Sequence, residues 1–216
     1  MSGTKKTAIS ASDNTLIAKL VKQIRNYVQI YGTGEDSEML EQAISDLRKH
    51  QEHQRRKSGQ PVIIHPLRVA NYICRAGLDA PTVIAALLHD IIEDTKITHK
   101  DIHKRYGVWY ADIVKGLTKI KNPESSNNRA RDDLDATYQR MLKTMAQDVR
   151  ALLIKLFDRL DNMRDMEAMP RGKQRRISLE TLNVYVPLAE RLGLTQICQE
   201  HTELCFKLLY PKRYQR

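Results

Sequence analysis

Apolar residues recur at helical spacing along nearly the whole chain, and no stretch sustains the two-residue alternation of a half-buried strand. That restricts the fold to packed helices. Leu16, Ile17, Leu20, Ile24, Tyr27 and Val28 predict a helix over 14–31 that stops at Gly32. Ser37 is placed to cap a second, with Leu40, Ala43, Ile44 and Leu47 on its inner face. Ser58-Gly59-Gln60-Pro61 breaks that helix, Pro66 suits the first turn of a third, and Gly77 closes it. Further helices are predicted over 80–94, 101–106, 108–120, 134–145, 149–169, 177–192 and from Gly193 to near Leu209. The polar stretch 122–133 reads as a loop. Short links between so many helices argue for a single all-α domain, and 216 residues can bury a real core.

Composition narrows the setting. The longest apolar run, Val83 to Leu88, falls far short of the roughly 18–20 residues of a membrane helix, so no membrane partner is expected. No apolar segment follows the N-terminal lysines, and the three cysteines include no CxxC. A cytoplasmic protein with buried thiols is the expectation, Cys198 and Cys205 sharing one helix face as core residues. The formal charge of +10 is concentrated: 47–57, 171–176 and 211–216 carry +4, +4 and +3. A basic chain attracts polyanions, from nucleic acid to small polyphosphates.

The chemistry gathers in 83–94, VIAALLHDIIED. An apolar, core-bound helix ends there in His89, Asp90, Glu93 and Asp94. Helical spacing sets His89 over Glu93 and Asp90 over Asp94. Three acids and an imidazole at the end of a buried helix are costly unless a basic group or a metal ion compensates them. An exposed helix C-terminus is the alternative, although acids there oppose the helix dipole. Two more segments supply matching groups. His65 follows the apolar run 62–64, and Asp158 interrupts the apolar helix LLIKLFDRLDNM. Two imidazoles and two carboxylates suit Mn²⁺, Fe²⁺ or Zn²⁺ and suit Ca²⁺ poorly. Such an ion lowers the pKa of its water towards neutrality.

The ordered set H … HD … D resembles the HD metal-dependent phosphohydrolases. The flanking residues RRKSGQPVIIHP, AALLHDIIEDT, LIKLFDRLDNMRDM and ETLNVYVPLAERLGL are similar to the hydrolase domain of the RelA/SpoT family, which degrades (p)ppGpp. The similarity runs from near Leu40 to Tyr214 and implies an all-α HD helical bundle. On that resemblance the expected organisation is a helical extension over 1–36, the hydrolase domain over 37–195, and a C-terminal helix over 196–216 packed on it.

The resemblance also implies roles. His65, His89, Asp90 and Asp158 match the family's Mn²⁺ ligands, and Glu93 and Asp94 its catalytic acid pair. Arg56, Lys57 and Ser58 match the loop that contacts guanine and phosphates, and Asn162 an asparagine of the nucleotide pocket. The implied reaction removes the 3′-pyrophosphate of (p)ppGpp to give GDP or GTP. In long bifunctional members, the segment resembling 185–214 leads into a synthetase domain. Here the chain stops at Arg216, so no synthetase activity is expected.

Several residues depart from the pattern. KHQEHQ stands where the family reads AHxGQ, leaving His50 and Gln51 as rivals for one supporting position. Val62 replaces a common tyrosine, and Phe157 and Asp161 stand where ADRLHNM would place Ala and His. Both an inward and an outward Asp161 are open. Val62 leaves room for a different substrate, such as NADPH. A basic RNA-binding module with a vestigial metal site is the remaining alternative. It is disfavoured by the lack of an RNA-binding motif and by only two Phe and one Trp.

Overall fold

A computed structural model describes residues 9–51, 53–56, 59–121 and 130–214. Its helices are α1 (Ala11–Tyr31), α2 (Gly34–Gln51), α3 (Ile64–Arg75), α4 (Ala80–Leu88), α5 (Ile91–Asp94), α6 (His99–Tyr106) and α7 (Val108–Lys121), followed by α8 (Ala130–Gln147) and α9 (Val149–Arg164). Then come α10 (Arg171–Glu180), α11 (Val186–Arg191), α12 (Thr195–Leu209) and α13 (Pro211–Tyr214). Among the described residues the only extended pairing is an isolated bridge between Arg55 and Pro61. The fold is all-α, as the periodicity predicts. It divides into two compact units, Met1–Thr118 and Lys119–Arg216.

In the first unit, α1, α2, α3 and α4 pack on one another. Ile24, Val28, Leu40, Ala43, Leu47, Leu67 and Ile73 interleave with α4, whose residues are all buried but Pro81. Apolar burial on that scale, at about 25 cal/mol per Å², is what holds the unit together. α2 begins earlier than Ser37 suggests, because Thr33 caps it. The Asp36 amide donates to Thr33 Oγ1 (3.1 Å), and the Thr33 amide donates to Asp36 Oδ2 (2.8 Å). This is a reciprocal capping box with Asp in place of the usual Glu. The buried Asp46 carboxylate accepts from Arg105 and from the Tyr106 hydroxyl (2.8 Å), tying α6 to α2. Burial, with that carboxylate alongside, pushes the Tyr106 phenol far up from its ordinary value.

In the second unit α9 packs against α8 and α12, and α10 and α11 also lie on α12. Asp148 caps α9 by accepting from the Arg150 amide (2.9 Å). The helix expected over 149–169 ends at Arg164 and passes into a 3-10 turn, Met166–Ala168. The helix expected from 177 begins at Arg171 and contains a π-helical turn, Thr181–Tyr185. The basic run 171–176 is therefore helical, with Arg171 donating to the Leu208 carbonyl (3.2 Å) at the end of α12. Cationic side chains near helix C-terminal carbonyls are favourable. Of the expected loop 122–133, residues 122–129 lie outside the described residues, and α8 starts at Ala130.

All three cysteines are free and buried. Burial pushes the Cys74 thiol up to about 12 and Cys205 up to about 11, which fits inert core packing. Beside Cys205 on α12, His201 is fully buried, and neither ring nitrogen has a hydrogen-bond partner among the described residues. Burial, reinforced by Arg159 and Arg164, depresses its pKa to about 4. The unfolded chain protonates this imidazole near its ordinary 6.5, so between those values the unfolded state binds the extra proton. Stability from this residue is therefore complete above pH 6.5 and falls as the pH drops towards 4, by on the order of 3 kcal/mol. Urea denaturation from pH 8 to pH 4.5 should show His201→Leu at least as stable as wild type at the alkaline end. Its relative advantage should grow towards the acid end; parallel pH profiles would contradict the assignment.

Candidate metal centre

In the first unit, His65, His89 and Asp90 come from the start of α3 and the junction of α4 and α5. Backbone hydrogen bonds tie residues 54–56 to 59–62: Arg56 N donates to Gln60 O (2.8 Å), Gly59 N to Arg56 O (2.9 Å) and Val62 N to Gln54 O (3.0 Å). Gly59 sits at φ +87°, in the left-handed region that a residue without Cβ enters freely. Residues 59–62 lead directly into α3, where His65 N donates to Val62 O (3.1 Å) and the imidazole is buried. Arg56 is half-buried. Lys57 and Ser58 lie outside the described residues.

The helix expected over 80–94 is not continuous. α4 stops at Leu88 and α5 starts at Ile91, with Asp90 at φ −105°, ψ −3°. That sparsely allowed bridge conformation is common among active-site residues. The columns of His89 over Glu93 and Asp90 over Asp94 are thus not those of one uninterrupted helix. The break turns His89 and Asp90 towards each other. His89 Nε2 lies 3.0 Å and His65 Nε2 3.6 Å from the same oxygen, Asp90 Oδ2. The two imidazoles meet edge to face with centroids 5.1 Å apart. One ligand atom from each of the three falls within 4.8 Å of the others.

Hydrogen-bond chemistry gives this cluster its meaning. His89 Nδ1 lies 2.7 Å from the Ala86 carbonyl, which can only accept, so Nδ1 carries the proton. A neutral His89 then aims the lone pair of Nε2 at an anionic carboxylate oxygen. Two acceptors at 3.0 Å repel unless a cation sits with them. The cation is either a second proton on His89 or a metal ion, and a backbone carbonyl holding Nδ1–H is the usual support of a metal-ligating histidine. The donor set therefore fits a divalent ion.

Of the expected acid pair, Asp94 is exposed and its Oδ2 accepts from Gln51 Nε2 (3.3 Å). Glu93 lies within α5, and its side chain lies outside the described residues. Of the two rivals for the supporting position, Gln51 is 1% exposed and His50 is half-buried. The KHQEHQ departure marked the neighbourhood, but nothing in one-dimensional spacing distinguishes the two.

In the second unit, Asp158 lies mid-α9 and is buried. Its Oδ2 accepts from Lys155 Nζ (2.5 Å) and its Oδ1 from Asn162 Nδ2 (2.6 Å). This unit thus brings Asp158 and Asn162 together. Asp161 is fully buried, which settles its orientation as inward. Sequence reasoning passed over Lys155; its one signal was a charge three residues before Asp158 in an otherwise apolar run.

Comparison with known proteins identifies the family. The guanosine-3′,5′-bis(diphosphate) 3′-pyrophosphohydrolase of Vibrio cholerae is 41% identical over 196 residues, 90% of this chain and 27% of that protein. The bifunctional (p)ppGpp synthase/hydrolase SpoT of Escherichia coli K12 is 40% identical over 198 residues, 90% of this chain and 28% of that protein. A GTP pyrophosphokinase of Myxococcus xanthus is 37% identical over 87% of this chain and 25% of its own length. The chain thus spans about a quarter of the length of these relatives. Among solved structures, one described as a metazoan ortholog of SpoT that hydrolyzes ppGpp matches with a TM-score of 0.51 and 27% identity. That match covers 86% of this chain and 97% of the other. The family model described as the HD domain matches residues 43–195, well over half of the sequence, and the chain belongs to that family.

Proposed function

We propose that this chain is a divalent-metal-dependent hydrolase that removes the 3′-pyrophosphate of (p)ppGpp, giving GDP or GTP and pyrophosphate. The observation that carries the reading is the encounter of His89 Nε2 with Asp90 Oδ2 beside His65, a contact that a divalent ion would bridge. The proposed ligand set is His65, His89, Asp90 and Asp158. Two imidazoles and two carboxylates favour Mn²⁺ over Ca²⁺, whose sites are built from oxygen alone. The substrate follows from the relatives named for this reaction. The hydrolase domain is proposed to cover 37–195, after a helical extension over 1–36 and before a C-terminal helix over 196–216.

When bound, the ion makes water acidic near neutral pH and withdraws charge from phosphoryl oxygens. The protein's own groups do the rest. Asp94, steadied by Gln51, and Glu93 form the acid pair. One carboxylate accepts a proton from the attacking water. The new O–P bond forms in line as the P–O3′ bond breaks, and the departing O3′ takes a proton from the pair. Arg56 and Lys57 offset phosphate charge, and Ser58 and Asn162 supply polar contacts to the nucleotide. No described helix is long and apolar enough to cross a membrane, and three free, buried thiols agree with a proposed cytoplasmic setting.

Purified protein supplied with Mn²⁺ should release pyrophosphate from ppGpp, and chelation should stop it. Asp90→Ala should reduce turnover at least ~10³-fold, in line with loss of a metal-held centre. Intact ppGpp after incubation with Mn²⁺ would refute the reading. Asp94→Asn should lower kcat by roughly 10²–10⁴ while Mn²⁺ affinity stays within a few-fold of wild type, as measured by calorimetry. A panel of ppGpp, pppGpp and NADPH ranked by kcat/KM should place the guanine nucleotides first. A higher rank for NADPH would assign the substrate change to the pocket around Val62.

A further inference from the structure

Lys155 is 5% exposed on α9, among the buried Leu152, Ile154 and Leu156. A lysine so placed surrenders the hydration of its ammonium, and proteins seldom bury one without a paired anion. Its partner is Asp158, with Nζ 2.5 Å from Oδ2. Asn162 holds the other oxygen from the opposite side, Nδ2 to Oδ1 at 2.6 Å. Both donors belong to the helix that carries the carboxylate, at i−3 and i+4, so a single rigid element sets the carboxylate plane. Each oxygen accepts one hydrogen bond from these donors and has a second lone pair in the carboxylate's accepting capacity.

From this geometry we infer that Lys155 is the positioning residue of Asp158, clamping and charge-compensating the carboxylate so that it is presented to the metal ion. The inference rests on the reading of Asp158 as a ligand. A simple stabilising role does not explain the pair. A buried ion pair is often no better for stability than well-packed apolar residues of the same volume, and methionine would fill the space of Lys155. Hydrogen-bond partners behind metal ligands are commonly worth 10–100-fold in metal affinity.

Calorimetric titration with Mn²⁺ alone separates the roles. Lys155→Met should weaken Mn²⁺ binding by roughly 10–100-fold, and Lys155→Arg, which restores a buried cationic donor, should recover most of it. A residue that only fills space predicts the reverse order, with methionine tolerated and the larger arginine harmful. Lys155→Met binding Mn²⁺ as tightly as wild type, or more tightly because an opposing charge is gone, overturns the inference. Should the methionine variant fail to fold by circular dichroism, Lys155→Gln takes its place. Loss of several-fold in Mn²⁺ affinity supports the clamp, and unchanged affinity overturns it. A wild-type protein that binds no Mn²⁺ sinks the metal-hydrolase reading itself. Wild-type binding that Asp90→Ala abolishes, together with an indifferent Lys155, sinks the clamp alone.

Discussion

An anionic carboxylate and the lone pair of an imidazole, held 3.0 Å apart at the end of an apolar helix, constitute a demand for positive charge. Water cannot easily supply the compensation, because His65 and His89 are both buried and Asp90 is half-buried. The demand persists because the surroundings over-determine it. The Ala86 carbonyl fixes the His89 tautomer, α4 is packed along nearly its whole length, and backbone bonds tie 54–56 to 59–62 just before α3.

The break between α4 and α5 lies beyond sequence reasoning. VIAALLHDIIED has an unbroken helical pattern and no Gly or Pro, so local propensity argues for one helix. Tertiary packing wins over two residues, His89 and Asp90, both of them proposed ligands. The start of α2 was legible in principle, since Thr33-Gly34-Glu35-Asp36 is a capping box with Asp as the reciprocal acceptor. Ser37 drew attention because serine is the commoner cap. The ligand residues, by contrast, announce themselves, because polar groups ending apolar runs must be compensated. Their supports do not. Gln51 and Lys155 became meaningful only once the fold placed an acid beside each. Asp161 shows the same limit: one turn from Asp158, its burial depended on the packing around α9 and not on its spacing.

The charge excess also changes character. As sequence, 171–176 is four cations that could meet any polyanion. As structure, it is the opening of α10, where Arg171 is committed to the Leu208 carbonyl and to Gln174. Among these four cations, what remains free to act on a ligand is less than the count implies. The stretch 47–57 differs, since part of it is tied by backbone bonds to the residues that deliver His65.

A helix that carries a proposed ligand is useful only if it does not move, and α9 is anchored by the residue next to Asp158. Arg159 donates to Glu180 (2.6 Å) and to the Tyr185 hydroxyl (2.7 Å), and its guanidinium lies 4.0 Å from the centroid of that ring. Glu180 precedes the π-helical turn and Tyr185 ends it, and the turn's wider winding shifts Tyr185 relative to the Glu180 side of α10. A regular α-helix would rotate the tyrosine by a further residue's worth of turn, so the irregularity lets one arginine meet both groups. Along α9, then, positions 155, 158 and 162 compose the carboxylate and its donors, and position 159 anchors the helix that carries them. Supporting groups built into the same rigid element are how a site holds sub-ångström geometry without relying on loops.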